Sequence, residues 1–107
     1  MSLDNPDTIP SPTLRHTLNL DTGKLSWAEL QRHFARGVVI VVARELDLID
    51  VAETFAQNNA AQTQAWIAGG RIVHASDTDA QRWQHHHSMF WSLVIAPWVL
   101  VQEIEAP

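Results

Sequence analysis

"FWSLVIAPWVLVQEI", residues 90–104, decides whether this chain is organised around a sheet. Leu93, Val94 and Ile95, then Val99, Leu100 and Val101, are aliphatic triplets that favour extended backbone, and the polar pair Gln102-Glu103 marks an end. Pro97 has no amide hydrogen to give to a ladder, so it marks a bulge, a bend or an edge. The segment is expected as two short strands, or one strand broken near Pro97. Alternation sends Val99 and Val101 to one face and Leu100 to the other. A central strand would bury all three. An edge strand would leave one face, Leu100 among its candidates, open to a partner or to a second copy of the chain. Trp91 and Trp98 are seven positions apart and would face opposite ways on a simple strand. One of them is then exposed and available for docking, unless the bend at Pro97 turns both into the core.

Upstream, the chain alternates helix and strand signals. Ser11 caps a short helix with Pro12 at its first position and Leu14 and Leu18 on one side, and Asp21 to Lys24 read as a turn. Ser26 and Glu29 form a capping box for a helix to about Arg36, whose buried stripe is Trp27, Leu30 and Phe34 and whose stop is Gly37. Val38 to Val42 are five β-branched residues in a row, the signature of a strand buried on both faces. Leu48, Val51, Ala52 and Phe55 mark a helix from about Asp47 to Gln57. Asn58-Asn59 breaks it, and Asn59 with Gln62 opens another through Trp66 and Ile67 to Gly69-Gly70. Arg71 to Ala75 read as a short strand, and Ser76 with Asp79 caps a short helix carrying Ala80 and Trp83.

The expected class is α+β, in the order helix, strand, helix, helix, strand, helix, strand. That order matches a winged-helix domain, with residues 47–57 and 60–68 as the helix pair. A plain α+β sandwich with helices on one face of a three-stranded sheet fits as well. With 107 residues there is room for one domain, read as residues 11–107 behind a lead-in, residues 1–10, whose prolines and aspartates describe a solvated, disordered segment.

Composition narrows the function classes. Seven basic residues against twelve acidic ones give a net charge of -5, so the overall field does not draw the chain to nucleic acid or anionic lipid. The absence of cysteine excludes disulfides, thiolate zinc sites and iron–sulfur clusters, and suits a reducing cytoplasm. The start has no basic, apolar leader, and the apolar run from Met89 to Val101 is shorter than the about 20 residues of a membrane span. A cytoplasmic location without membrane contact is expected.

The stretches "LDTGKLSWAELQRHFARGVVIVV", "LDLIDVAETFAQNNAAQTQAWIAGGRI" and "APWVLVQE" together resemble a family of short bacterial proteins of unknown function, over roughly Leu14 to Glu103. The resemblance implies no activity and carries no catalytic residue onto this chain. It implies an acidic or polar segment before the last strands, from which the triple histidine here departs.

That triplet, His85, His86 and His87, stands between Trp83 and Trp91. Consecutive side chains fan out by about 100° on a helix, whereas metal ligands favour one helical face or two separate elements. On a strand His85 and His87 would share a face and need His74 as a third ligand. No metal or other cofactor is expected. Asp47, Asp50, Glu29, Arg36 and Arg44 are explained as caps, dipole partners or solvated groups, and there is no G-x-S-x-G, H-E-x-x-H or phosphate-binding glycine loop, so no catalytic residue is assigned. A helix-pair reading would make Gln62 and Gln64 the base-reading residues, but their helix has no lysine or arginine. A non-catalytic interaction or regulatory module with a protein partner is the expected function, self-association being one form of it. Trp91, Trp98 and Leu100 are its candidate contacts, with a winged-helix nucleic-acid binder as the alternative, and an enzyme or His-cluster metal binder beyond that.

Overall fold

The computed structural model describes residues 14, 17, 18 and 21–104. The lead-in and the Ser11-Pro12 helix start lie outside the described residues. In order, the elements are β1 (Gly23–Ser26), α1 (Trp27–Ala35), β2 (Val39–Val42), α2 (Leu48–Ala56), α3 (Ala60–Ala68), β3 (Ile72–His74), α4 (Asp77–His86), β4 (Met89–Ile95) and β5 (Trp98–Glu103). The class is α+β, as expected.

Each helix starts where a side chain satisfies the free amides of its first turn. Ser26 and Glu29 form the capping box of α1, and Ser76 and Asp79 that of α4. Asp47 accepts from the Ile49 amide at 2.8 Å, and Asn59 accepts from the Gln62 amide at 3.1 Å. The reversal from α2 into α3 turns on Asn58, at φ 55°. The boxes also shift their carboxyls. The Ser26 amide and hydroxyl hold Glu29 below its ordinary value. Burial pushes Asp79 up, but the Ser76 amide and hydroxyl and the Arg82 guanidinium outweigh it and the net shift is downward. Both displaced carboxyls are thus accounted for by helix caps.

Residues 90–104 form a hairpin, the first of the two alternatives. It turns through Ala96-Pro97, a cis peptide bond, and pairs Ile95 with Trp98 and Phe90 with Glu103. The hairpin is the centre of a five-stranded mixed sheet ordered β1-β4-β5-β2-β3. β2 runs parallel to β5 on one side and antiparallel to β3 on the other.

This arrangement corrects three expectations. The winged-helix order requires β3 and the final strand to make a hairpin wing, but β2 lies between them and α4 separates β3 from β4. The backbone of β2 is paired on both sides, with β5 and with β3, and Val39, Ile40 and Val42 are buried beneath the helices on the two faces. The one-sided sandwich on three strands is also replaced, because helices cover both faces. Residues 23–26, read as the end of a turn and a helix cap, form β1, held by pairing with β4 and not by their own weak strand preference.

Two cores follow from strand alternation. On one face Ile40, Val42, Ile72, Leu93 and Leu100 meet Leu48, Val51 and Ala52 of α2, with Leu18 joining them. On the other, Val39, Phe90, Val99 and Val101 meet Trp27 and Leu30 of α1 and Trp83 of α4. The polar pair ending β5 fastens both layers. Gln102 donates to the carbonyls of Ala43 and Leu46, pinning the loop between β2 and α2. Glu103, on the opposite face, accepts from the Trp83 indole at 3.2 Å and the Ser88 hydroxyl at 2.8 Å and pairs with Arg82 at 3.5 Å. Among the described residues no helix is long and apolar enough to cross a membrane.

Candidate binding groove

The sequence "AAQTQAWIA" of α3 has alanine where a packed helix would place larger apolar residues. No residue of α3 is fully buried. Trp66 packs partly against the first core, and Ile67 is half exposed. The helix therefore stands off the sheet. Beneath it is a cavity of about 410 Å3, whose floor is Ile40, Ile72 and His74 and whose walls are Phe55, Trp98 and Ile67. A second hollow of about 420 Å3 continues past Phe55, Thr63 and Trp98 to Asn58, Gln64 and the turn at Ala96-Pro97. Volumes of this order suit a small ligand or one or two side chains of a partner.

The groove is apolar at the β3 end and more mixed at the hairpin turn. Among the described residues no lysine, arginine, aspartate or glutamate lines either hollow. Its titratable group is His74, whose ring meets the Trp98 ring edge-on at 5.5 Å between centroids. The Thr63 hydroxyl already donates to the Asn59 carbonyl at 3.0 Å. This lining offers apolar burial with hydrogen bonding at one end. It does not present a paired acid and base.

Of the three candidate contacts, Trp98 belongs to this groove. The hairpin register puts Trp91 opposite Gln102 and Ile95 opposite Trp98, so both tryptophans share one face instead of pointing apart. Trp91 lies farther along that face, 42% exposed, with the Lys24 ammonium 5.1 Å from its ring centre. Leu100 is not a surface residue. It is fully buried because β5 is central, between β4 and β2.

The histidines are dispersed. His85 and His86 end α4, His87 is its left-handed cap at φ 53°, and all three are exposed. His74 lies on the opposite face, against Trp98. Among the described residues no group of three or more His, Cys, Asp or Glu is placed to hold a metal ion. Replacing His85, His86 and His87 by Gln, Ser and Asn is expected to shift unfolding free energy by no more than about 0.5 kcal/mol, since asparagine tolerates the left-handed backbone. Urea unfolding checks this, and a stoichiometric metal in protein purified without a nickel column would contradict it.

Phe55, Ile67 and His74 were not legible as one site. The alanine-rich face of α3, which leaves a gap over the sheet, is the signal that marks it.

Comparison with known proteins agrees with the fold. Residues 13–103 match the family described as "Protein of unknown function (DUF2288)", and the chain belongs to that family. The solution NMR structure of PA1075 from Pseudomonas aeruginosa is similar, with 36% sequence identity, a TM-score of 0.77 and coverage of 92% of each chain. No curated protein matches the chain.

Proposed function

We propose that this chain is a small, non-catalytic interaction module of the cytoplasm that takes an apolar element of a protein partner into the groove beneath α3. The observation that carries this reading is the half-exposed Ile67 above an aromatic-walled cavity. Exposed apolar side chains at the mouth of a concave site are the usual anchor points of a protein contact. The absence of cationic residues on α3 weighs against a nucleic-acid partner.

Ile67→Glu tests the reading. The side chain is half in water already, so the fold should survive with a stability change of about 0.5 kcal/mol or less. Partner proteins that co-purify with the parent chain from its host should be lost. Partners retained by this variant, or nucleic acid recovered in their place, would sink the proposal.

A further inference from the structure

We propose that the open edge of β3 pairs with the same edge of a second copy, joining two sheets across a two-fold axis at Val73. β3 also lines the groove, through Ile72, Val73 and His74, but the pairing needs no groove ligand and is measured on the chain alone. β3 ends the sheet, and its pairing with β2 fixes which backbone groups are left over. The Ala43 amide donates to the Arg71 carbonyl and the Ala75 amide to the Val39 carbonyl, with Val73 opposite Val41. Residues 71, 73 and 75 thus point their hydrogen-bonding groups inward. In an antiparallel ladder the alternate residues, Ile72 and His74, point theirs out of the sheet.

A two-fold at Val73 places Ile72 of one copy opposite His74 of the other. Each such pair exchanges two hydrogen bonds, so four outward groups on each copy are satisfied. Val73 then meets its own copy, and it is an apolar residue 45% exposed. Charge complementarity follows from the same register. Arg71 falls opposite Ala75 of the second copy, two residues before Asp77 at the start of α4, and Arg71 and Asp77 are both exposed. Arg71's own partner, Glu45, is at 3.9 Å with both side chains about half exposed, a contact loose enough to exchange. The other edge of the sheet, β1, carries Lys24, a residue type that guards edges, whereas β3 itself has no lysine, proline or acidic residue. Three residues make a short seam, so the dimer is reversible and concentration-dependent.

Sedimentation velocity over a concentration series, on the full chain, measures the association. The mass should rise from 12.0 kDa toward twice that value, with the Ile72 and His74 amides gaining protection from hydrogen exchange. Val73→Lys, which sets two like charges on the axis, should weaken association by roughly tenfold or more. Arg71→Asp and Asp77→Arg should each weaken it, and the double reversal should restore it. A chain that stays monomeric at the concentrations of an NMR sample overturns the proposal. So does association indifferent to Val73→Lys, or a double reversal that fails to recover what the single ones lose. Should Val73→Lys not fold, the reversal series, confined to exposed residues, decides alone.

Discussion

Leu100→Glu and Val101→Glu are each expected to leave a chain with no cooperative unfolding transition in far-UV circular dichroism. The two side chains are fully buried on opposite faces of β5, one in each core. Each substitution forfeits about 1.5–3 kcal/mol of apolar burial. It also places a carboxylate among Val, Leu, Trp and Phe side chains, where an uncompensated charge costs several kcal/mol. A domain of this size has about 5–15 kcal/mol in total. The losses fall on the strand that β4 and β2 both pair with, so there is no edge at which the sheet could fray and keep the rest. The graded version, Leu100→Ala, should cost about 2–5 kcal/mol and remain folded. If either glutamate variant melts like the parent, β5 is not the sheet's centre. The same burial removes Leu100 from the docking surface, because a residue needed by the core is not also presented to a partner.

What was readable in the sequence follows from locality. Capping boxes lie within four residues, so Ser26-Glu29 and Ser76-Asp79 announced their helices, and the β-branched run before Ala43 announced β2. Sheet order is not local. Nothing in Val39–Val42 says that its neighbours are β5, whose paired residues lie sixty positions on, and β3. The consequence was largest where a strand has little preference of its own: Gly23–Ser26 extends only because β4 offers it a partner. The groove was illegible for a related reason. It is a gap left by small side chains on α3, and its walls come from α2, β2, β3 and β5. Gln102 and Glu103 read as a polar stop, and chemically they are one. Their hydrogen-bond partners, at Ala43, Leu46, Trp83 and Ser88, became assignable only when tertiary pairing set one residue on each face.

Trp83→Ala should be the most damaging single truncation on the α1 and α4 side of the sheet. The indole is fully buried, packs against Trp27 with ring centroids 5.6 Å apart and meets Phe90 nearly at right angles at 4.8 Å. Its N–H donates to Glu103. Cutting such a side chain to a methyl removes about 3–5 kcal/mol, because α4 is tied at both ends, by its capping box and by the Ser88 amide on the Trp83 carbonyl, and has little freedom to collapse into the hole. Trp83→Phe separates packing from hydrogen bonding. It keeps an aromatic ring against Trp27 and Phe90 but withdraws the donor. Glu103 then retains Ser88 and Arg82 as partners, so the loss should be closer to about 1–2 kcal/mol. Urea midpoints with unchanged slopes give both values. A phenylalanine variant as unstable as the alanine one would mean that the bond to Glu103, and not the aromatic packing, holds α4 to the sheet.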